Sequence, residues 1–141
     1  MIAKFRVWDK ELQTMLDVSL IDFKKSVLVG EHWEFGETNF INFDGIKLMQ
    51  STGLKDKNGT EIFEGDIIDT TDYEGGLSSV GNPLVKVGRD KYGFVVTGDF
   101  PDSPITLKEF EDGRKFAGVE VTIAGNIYEN PELLEADNDT K

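Results

Sequence analysis

The stretch Lys47–Ile68, KLMQSTGLKDKNGTEIFEGDII, constrains the fold more than any other part of the chain. Two extended apolar runs, Leu48–Gln50 and Glu61–Ile68, flank a turn-rich centre at Lys55–Gly59. Asn58–Gly59 is the strongest turn dipeptide in the sequence, because both central residues of a type I′ turn need positive φ. Gly65–Asp66 interrupts the second run, and an isolated Gly in a strand pattern marks a bulge or a close backbone approach. Asn58, Gly59, Gly65 and Asp66 are therefore read as structural turn residues, with Asp66 accepting backbone N–H bonds.

The other segments read mostly as strands. Ala3–Trp8 alternates with period two, as a half-buried strand does. Thr14–Phe23 is one bent strand or two, and Val27–Val29 is a short strand ended by Gly30. Thr38–Phe43 is extended, and Asp44–Gly45 is a turn into a strand at Ile46–Gln50. A long loop is expected from Thr52 to Gly59, and a flexible surface loop from Thr70 to Pro83. Leu84–Val87 and Tyr92–Thr97 form a hairpin about a Gly88–Lys91 turn. The best helix candidate runs from Ser103–Pro104 to Asp112–Gly113, with Thr106 as cap and Gly113 as stop. Gly118–Ile127 is the cleanest strand, and Asn130–Pro131 opens a last helical turn at Glu132–Leu134. The chain of 141 residues, with 15 Gly, fits one domain. Its expected fold is all-β, with small twisted barrel-like sheets and one or two short helices, over residues 1–134. Residues 135–141 are expected to form an acidic flexible tail.

Charge narrows the possible partners. Fifteen Lys and Arg face 27 Asp and Glu, for a net charge of −12. Nonspecific nucleic-acid affinity needs clustered cations to displace counterions from phosphates. Lys24–Lys25 and Lys55–Lys57 are mixed with Asp22 and Asp56, so the acidity argues against nucleic acid. It serves solubility, or a surface that binds basic partners or mimics nucleic acid. Aromatic residues that could stack bases are Trp8, Trp33, Phe35, Tyr73, Tyr92 and Phe94, but stacking platforms come with basic grooves. There is no Cys, so there is no disulfide or thiolate chemistry. MIAKFRVWDK leads into no signal-peptide run, and no apolar run approaches the ~20 residues of a membrane span. A cytoplasmic location and no membrane contact are expected.

Several chemistries fail on spacing. The single histidine, His32, has no Gly-x-Ser-x-Gly elbow to serve as base. With no Cys and one His, a zinc site of those ligands cannot form. Gly76 to Gly81 has the spacing of a phosphate loop but lacks the lysine that follows. Asp56–Glu61 resembles the start of a calcium loop, but Gly59 stands at position four, and Ile67 occupies position twelve. Glu61, Glu64 and Asp66 could place two acids on one strand face, so an enzyme using carboxylates and Mg²⁺ stays an alternative.

Three blocks carry a family resemblance. They are Lys4–Asp9 (KFRVWD), Leu48–Gly59 with Glu61–Ile67 (LMQSTGLKDKNG and EIFEGDI), and Gly125–Leu134 (GNIYENPELL). By these the chain is identified as a member of the YopX family, small proteins of phages and prophages of Gram-positive bacteria. Nearly the whole chain except the tail is covered, while residues 69–118 match no family pattern. The resemblance implies a mostly β fold and a phage origin, and no activity, cofactor or catalytic residue. The expected role is a nonenzymatic accessory protein without a cofactor or metal. It would act through contacts with an unidentified protein partner, or with its own copies as a homo-oligomer. Nucleic-acid binding through an aromatic sheet face is the other alternative.

Overall fold

The computed structural model describes residues 4–32, 36–71 and 82–135. The chain divides into two units, Met1–Ser51 and Thr52–Lys141. The first contains β1 (Phe5–Asp9), β2 (Thr14–Asp22), β3 (Val27–His32), β4 (Gly36–Asn42) and the opening half of β5 (Ile46–Lys55). These strands pair antiparallel in the order β4-β3-β2-β1-β5. Alternation along each strand delivers one residue in two to the core. Val7 stands opposite Leu16, and Leu28 opposite Ile21, so that face buries Val7, Leu16, Leu28 and Ile46. Full burial of each such side chain stabilises by roughly 1.5–3 kcal/mol.

One open expectation for this unit is resolved and another changes. The Thr14–Phe23 segment is one strand, bent where its register to β3 shifts between Val18 and Leu20. Gly30 does not end β3, which continues to His32. Leu16 occupies the space that a side chain at residue 30 would need, since a Cβ there would lie 2.9 Å from Leu16 Cδ1. Phe43–Gly45 forms a 3-10 turn between β4 and β5, and Asp22 Oδ1 accepts from the N–H groups of Lys24 and Lys25 in the β2–β3 turn.

The second unit contains the rest of β5, then β6 (Glu61–Phe63), β7 (Asp66–Asp69), β8 (Leu84–Asp90), β9 (Gly93–Thr97) and β10 (Ile105–Thr106). Helix α1 (Leu107–Ala117), strand β11 (Thr122–Asn126) and helix α2 (Glu132–Glu135) follow. A sheet runs β10-β9-β8-β7-β11, and β6 bonds to β5. Ile62, Ile68, Val85, Val87, Val96, Phe100, Phe110 and Val121 make its core. The expected β-dominated class with short helices is observed, and neither sheet closes on itself among the described residues.

Boundaries differ where local cues compete with tertiary ones. Strand β5 persists to Lys55, so the expected long loop shrinks to a turn at 56–60. The β8–β9 turn lies at Lys91–Tyr92 rather than Gly88–Lys91, because Gly88 still pairs with Val95. Helix α1 begins at the expected cap: Thr106 accepts from the Glu109 N–H, and Glu109 accepts from the Thr106 N–H. It passes through Gly113 and ends instead at Gly118. A helical Gly costs about 1 kcal/mol, and here burial of Phe110 and the Arg114–Glu111 ion pair at 2.9 Å offset it. Residues 118–121 lie outside β11. Residues 72–81 of the expected surface loop, and the tail beyond Glu135, lie outside the described residues.

Gly59 and Gly65 have φ of 83° and 92°, a region where a β-branched side chain is strained by roughly 1–3 kcal/mol. Gly59→Val and Gly65→Val are each expected to lower unfolding free energy in urea by about that amount. Gly45→Ala, at a position with open space and ordinary φ, should change it little. Unchanged stability in both Val variants would contradict this reading.

Candidate functional site

The middle signature block folds around one carboxylate. Asp56 Oδ1 accepts from the N–H groups of Asn58 and Thr60, each at 2.9 Å, and Oδ2 accepts from the Ile123 N–H at 3.0 Å. The turn closes through Asp56 N–H to Thr60 O at 2.9 Å and Gly59 N–H to Asp56 O at 3.0 Å. Lys57 N–H reaches Val121 O at 2.9 Å. Asn58 and Gly59 thus sit exposed at the turn tip, and the buried, working group is Asp56, which is 8% exposed. Burial pushes the Asp56 carboxyl up, but the bonds from Ile123, Thr60 and Asn58 outweigh it and hold the group below its ordinary range.

Gly65–Asp66 forms a second junction. Gly65 N–H donates to Val87 O at 2.7 Å, and Gly65 O accepts from Ile127 N–H at 2.9 Å. Asp66, 1% exposed, accepts the Phe63 N–H on Oδ2 at 2.8 Å. The C-terminal block makes a third. Asn126 Oδ1 accepts from Tyr128 and Glu129 N–H at 3.0 and 2.8 Å, and its Nδ2 donates to Glu129 Oε1 at 2.7 Å. The Asn130 amide returns to Asn126 N–H at 3.2 Å. It occupies the space left by Gly125, where a Cβ would lie 2.4 Å from Asn130 Oδ1.

The N-terminal block ends on Asp9, 5% exposed, whose Oδ1 accepts from Glu11 N–H at 3.0 Å and Leu12 N–H at 3.1 Å. Asp9, Asp56 and Asn126 were not singled out by sequence reasoning. Their one local signal is an acceptor side chain two residues before the N–H that it bonds.

Among the described residues no three His, Cys, Asp or Glu side chains group to hold a metal ion. Glu61, Glu64 and Asp66 therefore do not converge on one: Glu64 pairs with Arg89 at 3.2 Å, and Asp66 bonds backbone. The aromatic candidates separate. Trp8 is buried, Phe94 lies under the Arg89 guanidinium at 5.6 Å, and Tyr92 is 85% exposed beside Lys91. Trp33, Phe35, Tyr73 and the Gly76–Gly81 spacing lie outside the described residues. His32 is half-buried in β3. No described helix is long and apolar enough to cross a membrane.

Among the described residues each unit has a hollow. In the second unit a groove of about 440 Å³ is lined by Asn82, Leu84, Lys86, Thr97, Asp99 and Leu134. Its Asn82 is spent on structure, donating to Leu133 O and Asp99 Oδ2 and accepting from Leu84 N–H. In the first unit a pocket of about 300 Å³ is lined by Asp9, Glu11, Leu12, Ile41, Asn42 and Gly45.

Asp56→Ala is expected to cost about 2–4 kcal/mol, since it strands buried N–H groups that a charged acceptor now serves. A folded-state pKa below the unfolded value means this contribution is full above pH ~4 and fades as pH falls through the lowered value. Urea unfolding of wild type and variant across that range should therefore converge at the acid end. A pH-independent gap would contradict the assignment.

The family model described as YopX protein matches residues 4–135. The crystal structure of protein EF1440 from Enterococcus faecalis is similar, with 30% identity and a TM-score of 0.62 over 96% of this chain and 99% of that one. No curated protein matches. The matched span contains all three junctions, at Asp56, Gly65–Asp66 and Asn126, and on it the chain belongs to the YopX family.

Proposed function

We propose that the chain is a nonenzymatic accessory protein of a phage or prophage that works through protein contacts. The observation that carries this reading is where the signature polar side chains spend their bonds. Asp9, Asp56, Asp66 and Asn126 all accept backbone N–H groups. A general acid or base must instead reach the proton that it moves. The signature thus supports a framework, and the surface on that framework carries a net charge of −12. Acidic surface steers basic partners and repels acidic ones. Large side chains stand in solvent as well, Phe23 and Tyr92 at hairpin turns and Phe116 on α1. Aromatic residues of this kind are enriched where proteins meet.

The test is native mass measurement of the purified chain together with affinity capture from infected host cells at low and high salt. An oligomer, or a captured protein released by salt, is the expected result, because contacts to exposed charges are screened. A strictly monomeric mass with no captured partner would contradict the proposal.

A further inference from the structure

We propose that Asn58–Gly59 is a spontaneous modification site, gated by Asp56, whose isoaspartyl product releases the end strand β11. Of the asparagines, Asn58 alone precedes a glycine, while Asn82 and Asn130 precede prolines, which lack an N–H. A glycine has no side chain to shield its nitrogen, and a Cβ at Gly59 would meet nothing within 4 Å. Both residues are exposed at the tip of the turn. In the reaction the Gly59 nitrogen attacks Asn58 Cγ. A C–N bond forms there, the Cγ–Nδ2 bond breaks, and the Gly59 proton leaves with Nδ2 as ammonia. Water then opens the resulting succinimide. Cleavage at Cγ gives aspartate with the chain unaltered. Cleavage at the main-chain carbonyl gives isoaspartate, with the chain running through Cβ and Cγ.

Asp56 holds the reaction back from both sides. Attack needs the Gly59 nitrogen without its proton, and that N–H donates to Asp56 O at 3.0 Å. The Asn58 N–H donates to Asp56 Oδ1 at 2.9 Å, which fixes the other reactant. Two further bonds, between the Asp56 N–H and Thr60 O and between the Thr60 N–H and Asp56 Oδ1, close the turn behind them. Reaction therefore waits for the turn to open, and its rate follows the open population.

The two products differ in what they leave of the latch. Aspartate keeps the length of the chain. Isoaspartate inserts an extra carbon into the main chain between Asn58 and Gly59, inside the ring that Asp56 and Thr60 close. Thr60 then falls out of register with Asp56, and the carboxylate that also receives the Ile123 N–H at 3.0 Å is displaced. The Lys57 N–H that serves Val121 O sits in the same turn. Strand β11 stands at the end of its sheet, so its outer backbone groups become open to pairing.

The experiment incubates the full chain at mildly alkaline pH, folded and in guanidinium chloride. Residue 58 is followed by peptide mass mapping and by labelling with an isoaspartyl-specific methyltransferase. Asn58 of the folded chain should convert faster than Asn42 and Asn126, and about tenfold or more slower than in denaturant. Asp56→Ala should bring the rate in the absence of denaturant close to the denatured one. Should that variant fail to fold, wild type below its unfolding transition replaces it. Its conversion rate should then rise with denaturant in step with exchange of the Ile123 amide. In the isolated isoaspartyl form the Ile123 amide should exchange about tenfold or more faster, while Val85 and Val87 stay protected. Asn58→Asp carries the charge of the product without the lengthened chain and should leave Ile123 protected.

Conversion at Asn58 no faster than at Asn42 or Asn126 would overturn the site. Equal rates in the folded and denatured chain, or an unchanged rate in a folded Asp56→Ala variant, would overturn the gate. Unchanged Ile123 exchange in the isoaspartyl form, or equal release in Asn58→Asp, would overturn the link to β11.

Discussion

Much of the second unit depends on one carboxylate receiving three backbone N–H groups. Asp56 closes its own turn through Asn58 and Thr60, and binds Ile123, 67 residues away in sequence. A buried carboxylate without donors would cost several kcal/mol; with three it becomes a fixed point for two distant segments. Ile123 belongs to β11, which stands at the end of its sheet. An end strand offers unpaired groups to any passing chain. Here Asp56 takes the Ile123 N–H, and Lys57 N–H takes the Val121 carbonyl just before the strand. The turn therefore blunts the edge with side chain and backbone together.

The other junctions follow the same logic. Gly65 hands its N–H to Val87 and its carbonyl to Ile127, so a single left-handed residue ties β8 and the end of β11 to the β6–β7 turn. Asn126 then folds the chain back with both ends of its amide, using the space that Gly125 leaves for Asn130. All three signature blocks place a buried polar residue on backbone donors.

The sequence announces the parts whose cause is local. Asn58 does not take the positive φ that a type I′ turn would give it, but Gly59, Gly65 and the Thr106 cap are legible because φ preference and capping act within four residues. The Asp56 latch is not, since its decisive partner at Ile123 lies far along the chain. Helix α1 overruns Gly113 because tertiary burial of Phe110 and the Arg114–Glu111 pair overrides a local stop signal. Gly30 misleads for a similar reason: it reads as a stop, whereas packing against Leu16 keeps the strand going. The Asp9 pocket was invisible for want of proximity in sequence, as Asp9 and Asn42 meet only once β1 and β4 are placed. Asp9 Oδ1 holds the β1–β2 turn through the N–H groups of Glu11 and Leu12.

The buried polar residues of the three blocks serve to anchor backbone. Native-state hydrogen exchange measures this anchoring residue by residue, because an amide held in a core junction exchanges only when the whole unit opens. The amides of Ile123, Thr60 and Ile127 are expected to exchange as slowly as those of core residues Val85 and Val87, with a common dependence on denaturant. Exchange of Ile123 and Thr60 at rates typical of exposed turns, while Val85 and Val87 stay protected, would contradict it.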